Sequence, residues 1–199
     1  MTTSEPLVSD DPRAMRSRQR LQEALHRLLP TAALGEIGVA ELCREAGVHR
    51  TTFYGHYATV GDLAADVYAE MIDQVSAVDA DSDLTAQGVV RVYHETMVAI
   101  LVRVMRERDA IRALFESSVS IGFRRRLREY YVGRVSVAID TLRRANLAAP
   151  AHAEVAAAFI AGGLVSAIES WALSEETDAD SFARAILENM PVWWPEHSL

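Results

Sequence analysis

Apolar residues return every three or four positions along most of the chain, and almost nowhere do they alternate one by one. A period near 3.6 residues marks amphipathic helices and strict alternation marks strands, so the pattern predicts an all-α protein. A first helix is predicted from Pro12, with Leu21, Leu25, Leu28 and Leu29 on one stripe and Arg16, Arg20 and Arg27 largely outside it. Pro30 ends it, because proline cannot donate the helical hydrogen bond. Residues 39–47, "VAELCREAG", put Val39, Leu42, Cys43 and Ala46 on one apolar face, and Gly47 suits the turn that follows. A second short helix is predicted over 48–57, with Val48, Phe53 and Tyr57 available for packing.

Longer helices are predicted over 60–75 (Leu63, Val67, Met71, Val75), over 85–107 (Val89, Tyr93, Met97, Ile100, Val104), from about 122 to 145, and over 151–173. Shorter ones fall at 109–116 and 181–190, the last ending at Pro191. Residues 1–11 read as a flexible tail, and the acidic runs at 79–83 and 174–180 read as connections.

Composition sharpens this picture. The chain has 199 residues, half of them hydrophobic, with only 10 Gly and 6 Pro, which favours a compact helical globule over a disordered chain. The longest apolar stretch, 155–168, lies between Glu154 and Glu169 and reads as a buried helix rather than a membrane span. The N-terminus lacks a cationic start followed by an apolar run, so no secretory signal is expected. Cys43, the single cysteine, rules out an internal disulfide and fits a reducing, cytoplasmic compartment.

Charge is unevenly spread. All 20 basic residues are Arg, against 28 Asp plus Glu, a formal balance of −8. Residues 1–57 carry 7 Arg and 7 acidic residues, so the whole deficit falls on the remaining 142. Within 13–27 five Arg face only Glu23. A polyanion would be repelled by most of this molecule and tolerated at its amino end.

The two short helices around Gly47 have the layout of a helix-turn-helix, whose second helix enters the major groove of DNA. The residues of that helix suit the task. Arg50 can donate a bidentate pair to guanine, and Thr51 and Thr52 offer methyls and hydroxyls to base edges. Tyr54 and His56 can bond phosphate oxygens, which position a helix without reading sequence. Arg16 and Arg18, together with Arg20, can add phosphate contacts from the first helix, and His49 opens the second.

The stretch 39–63, "VAELCREAGVHRTTFYGHYATVGDL", resembles the DNA-binding segment of the TetR family of transcriptional repressors. The resemblance rests on Val39, Leu42 with Cys43, Ala46-Gly47-Val48, Thr52-Phe53-Tyr54, His56, Tyr57 and Leu63, in order and at the right spacing. It implies an N-terminal DNA-binding domain over 12–59 and a larger helical domain over 60–199 that binds a ligand and dimerises. Four positions depart from the family pattern. Gly38 replaces a capping Thr, His49 a common Ser, and Val60 a Lys that reaches phosphate, while Gly55 leaves a gap in the recognition helix. The lost contacts at Gly38 and Val60 imply weaker DNA binding or heavier use of the N-terminal arginines.

The resemblance further implies a homodimeric repressor on a palindromic operator, released by a small-molecule effector. The expected dimer contact joins the 155–173 helix to the last one, through Ala158, Gly162, Val165, Ser166, Leu187 and Met190. Packing inside one chain is the competing use of these residues. Tyr93, Met97 and Ile100, with Tyr131 and Trp171, are the candidate ligand wall, although helical spacing of this kind is more often plain core. The arginines of 124–128 read as a solvated face or as partners for an acidic ligand.

No nucleophile motif, phosphate-cradling loop or metal-ligand spacing stands out, so neither an enzyme, a metal nor a cofactor is expected. A helical interaction adaptor, or a ligand-binding protein without sequence-specific DNA binding, is the alternative class.

Overall fold

A computed structural model describes residues 11–29, 32, 34–75, 85–118 and 120–195. Its elements are α1 (Pro12–Leu28), a short 3-10 turn (Leu34–Glu36), α2 (Val39–Ala46), α3 (Arg50–His56), α4 (Val60–Val75), α5 (Ala86–Arg106), α6 (Arg108–Glu116), α7 (Ser120–Arg144), α8 (Ala153–Leu173) and α9 (Ala179–Glu188). Every described element is helical, as the apolar period predicts. The tail before Asp11 and the acidic run 79–83 lie outside the described residues.

Local chemistry sets the boundaries. The Asp11 carboxylate accepts from the Arg13 backbone N–H at 2.9 Å, and Pro12 fills a position whose N–H would go unused. Thr85 caps α5 in the same way by accepting from Gly88 N–H at 3.1 Å. Gly47 ends α2 at φ +63°, in the left-handed region. From there Gly47 N–H reaches the Arg44 carbonyl (3.3 Å) and Val48 N–H the Cys43 carbonyl (3.0 Å), the paired bonds of a Schellman ending. A side chain at residue 47 would strain this turn.

α1, α2 and α3 enclose Leu21, Leu25, Leu42 and Phe53, all fully buried. That cluster continues through Leu63, Ala64 and Tyr68 of α4 into Leu101, Phe123, Leu127 and Trp171. α7 is the main partner of both α4 and α8, and α9 lies on α5. The amino-terminal helices therefore share one continuous core with the rest, and α4 is the strut between them.

α8 has 21 residues and the hydropathy of a membrane span, longer than the 14-residue stretch picked out in the sequence. One side of it is core, with Ala157, Ala161, Ile168, Trp171 and Ala172 fully buried. Glu169 on the same helix pairs with Arg124 of α7. The other side exposes Val155 and Phe159, the latter at 76%.

Candidate nucleic-acid interface and apolar cavity

α3 is anchored by one ring and presents the rest. Phe53 is fully buried under α1 and α2, while His49, Arg50, Thr51 and Tyr54 are exposed and Thr52 is half-buried. Tyr54 stands edge-on to Phe53, ring centroids 5.4 Å apart, which steadies the phenol without covering it. The structure therefore leaves a donor-rich helix face open to solvent, as a groove-reading helix requires.

His56 and Arg18 are placed otherwise than the sequence suggests. Ser17 Oγ donates to the Ala14 carbonyl at 2.9 Å, and His56 Nε2 lies 2.7 Å from Ser17 Oγ, so the ring ties α3 to α1. Burial and the nearby Arg18 charge depress the His56 pKa against the opposing pull of Asp66, which favours the neutral ring. Arg18 pairs with Asp66 of α4 at 2.9 Å, and the Tyr57 hydroxyl donates to the same carboxylate at 2.8 Å. Both residues brace the helices, which leaves Arg16 and Arg20 exposed on α1 as the candidates there.

The departures from the resemblance have visible consequences. Gly38 starts α2 with no side-chain cap. Val60 is buried at 5% exposure, so packing has replaced any reach toward phosphate. Cys43 is also buried, and burial raises its thiol pKa against the opposing Arg50 charge. That environment keeps the thiol protonated and unreactive.

α4 is clamped at both ends. Asp62, 4% exposed, accepts from Thr59 N–H and Thr59 Oγ1, both at 2.8 Å, and from Arg125 of α7 at 2.7 Å. Burial raises the Asp62 pKa, but these bonds together outweigh it and hold the carboxyl below its ordinary value. Gly122 permits this approach, since a β-carbon there would lie 2.7 Å from Thr59 Oγ1. At the other end Asp73 accepts from the Tyr130 hydroxyl at 2.6 Å and pairs with Arg134 at 3.3 Å. Arg124 and Arg125 are thus committed to Glu169 and Asp62, and Arg126 to Glu129, rather than to an acidic ligand.

Beside Asp73 opens a cavity of about 600 Å³, inside the usual range for small-molecule sites. Tyr93, Met97, Ile100 and Tyr131 line it as the sequence suggests, joined by Ile72, Arg134, Ile160, Leu164 and Trp194. Trp171 does not. Its ring is fully buried against Phe182, and its Nε1 donates to the Leu101 carbonyl at 2.9 Å, so it is core. Trp194 takes its place in the wall. Trp194 lies past the last predicted helix, where a segment folding back leaves no periodic signal.

On the expected dimer face, Ala158 and Ser166 are exposed and Gly162 and Met190 half-buried. Val165 and Leu187 turn into the chain's own core at 6% and 4% exposure, so they have little surface for a partner. Phe159 and Val155, absent from the expectation, carry the exposed apolar area instead. A groove of about 340 Å³ runs between α8 and α9, bordered by Phe159, Gly163, Phe182 and Ile186.

No protein-family model matches the chain, and neither does any curated protein. Solved structures do. The unliganded crystal structure of RolR superposes with a TM-score of 0.58 at 18% identity, covering 86% of this chain and 89% of RolR. A TetR transcriptional regulator from Rhodococcus sp. RHA1 gives 0.50 at 21% identity, covering 90% and 98%. The chain has the TetR-regulator fold. RolR bound to resorcinol also matches this fold, with a TM-score of 0.53 at 18% identity over 92% of both chains. The helix-turn-helix of the TetR fold is here α2 and α3.

Proposed function

We propose that the chain is a ligand-responsive transcriptional regulator of the TetR family that binds duplex DNA as a homodimer. The reading is carried by α3, whose one fully buried side chain is Phe53 and which leaves Arg50, Thr51 and Tyr54 facing solvent on a TetR-regulator fold. Arg50 and the threonines read base edges, and Tyr54, His49 and Arg16 hold phosphates. Two copies set about 34 Å apart match successive major grooves of a palindromic operator.

The copies join through the outer face of α8 and through α9. Phe159 and Val155 supply apolar area, while Ala158, Gly162, Gly163 and Ser166 let a second helix approach. A β-carbon on Gly162 or Gly163 would meet nothing within 4 Å in the single chain, so internal packing does not require glycine there. The protein works in the cytoplasm as a repressor and performs no catalysis. A small molecule filling the cavity pulls on Asp73, tilts α4 about its Thr59–Asp62–Arg125 clamp and changes the spacing of the α3 helices. RolR, which shares this fold, has been crystallised in complex with resorcinol, so a small-molecule ligand on this fold has a precedent.

The test is operator selection from random duplexes, followed by anisotropy titration over a range of salt. A palindromic consensus with a steep loss of affinity as salt rises supports the reading. Failure to enrich any duplex would leave a helical adaptor or a plain ligand-binding protein.

A further inference from the structure

We propose that the cavity takes an uncharged, mainly apolar molecule bearing a hydrogen-bond acceptor, and that the indole N–H of Trp194 reads that acceptor. The regulatory use of such a ligand rests on the function proposed above, whereas its chemistry rests on the wall.

Most of the wall is aliphatic, with Val89, Met97, Ile100, Ile160 and Leu164 among its residues. Trp194 closes one side at 2% exposure, its ring edge-on to Tyr93 with centroids 4.9 Å apart. Its Nε1 is buried and has no hydrogen-bond partner among the described residues. An indole nitrogen only donates, and a buried donor without an acceptor is costly, so native structures rarely leave one. Trp171 shows the ordinary solution, since its Nε1 meets the Leu101 carbonyl at 2.9 Å. Trp194 differs in lining a space large enough for a ligand, and an acceptor on that ligand would relieve the unpaired N–H.

Tyr131, at 3% exposure, adds a second polar atom to the wall. Its hydroxyl interacts with that of Tyr68, yet neither makes a hydrogen bond of normal geometry. The two charged groups of the wall already face each other. The wall's Asp73 and Arg134 lie 3.3 Å apart, and Tyr130 also donates to Asp73. A charged ligand would have to compete with that partly exposed pair, so the wall offers it less than it offers a neutral one.

Three matched probes test this on the full chain without DNA, by equilibrium dialysis: benzophenone, its acceptor-free analogue diphenylmethane, and the anionic 4-benzoylbenzoate. Benzophenone is expected to bind about ten-fold tighter than either of the others. Trp194→Phe is expected to remove benzophenone's advantage over diphenylmethane, the ratio of the two affinities cancelling any packing loss common to both. In the unmutated protein, the Trp194 indole N–H resonance is expected to move downfield with benzophenone and not with diphenylmethane, which tests the contact should the variant fold poorly. Equal binding of ketone and hydrocarbon, tightest binding of the carboxylate, or an advantage that survives Trp194→Phe would each overturn the proposal. Ketone binding that leaves DNA affinity untouched would uphold it and overturn the regulatory reading alone.

Discussion

α3 and α8 each turn a face to solvent that the rest of the chain does not cover, but the two faces are opposites. α3 hides a single ring, Phe53, and exposes Arg50, Thr51 and Tyr54. α8 hides most of its large side chains and exposes Val155 and Phe159 beside Ala158, Gly163 and Ser166. A hydrated donor-rich face loses little by standing alone and gains by meeting phosphates and base edges. An apolar face with a 76%-exposed Phe gains by leaving water, and a second copy of the same face does this symmetrically. Under the proposed function the contrast separates reading from assembly, and substitutions can press on each side of it.

The largest effect is expected on the assembly side. Phe159→Arg should give monomers by light scattering and weaken operator binding by roughly 10²–10⁴-fold, because each α3 then binds without its twin. The exposed position leaves the fold of one chain intact, and circular dichroism checks this. An intact dimer would return the contact to other residues. Next comes the anchor of α3. Phe53→Ala should cost about 3–5 kcal/mol in denaturant unfolding, since it empties a fully buried site.

On the reading side, Arg50→Ala should cost about 1–3 kcal/mol on the selected operator and relax preference at one base position. Equal loss on every duplex would move Arg50 to a phosphate role. The clamp of α4 links both sides. Asp62 is depressed in the folded protein, so its contribution is complete above its ordinary carboxylate range and fades as pH falls through the lower folded value. Asp62→Asn should therefore destabilise the protein by about 1–3 kcal/mol at neutral pH and flatten the acid limb of its stability curve. The smallest change is expected from Tyr54→Phe, about 0.5–1.5 kcal/mol lost alike on all duplexes. A sequence-selective loss there would give the phenol a base contact.

Much of this was legible before any coordinates. Helix positions follow from apolar period and local stop signals, as with Pro12 at the start of α1 and Gly47 at the end of α2. Phe53 inward follows from its apolar ring, whereas Arg50, three residues earlier, is outward because it opens α3 and carries charge. Less legible was which polar residues would already be occupied. His56 and Arg18 look like DNA ligands in the sequence, yet Ser17 and Asp66, 39 and 48 residues away, take them up. Trp171 and Trp194 look alike as apolar aromatics, and only the fold gives one a carbonyl and the other a cavity.

The linear pattern thus determined the elements, their inward faces and the helix-turn-helix, because these depend on spacings of three to seven residues and on local capping. Tertiary structure alone decided the clamp of α4 on α7, the cavity wall and the uncovered ridge on α8. Those features are set by pairs such as Asp62–Arg125, 63 residues apart, which no local period encodes. Their energies exist only once the helices have packed.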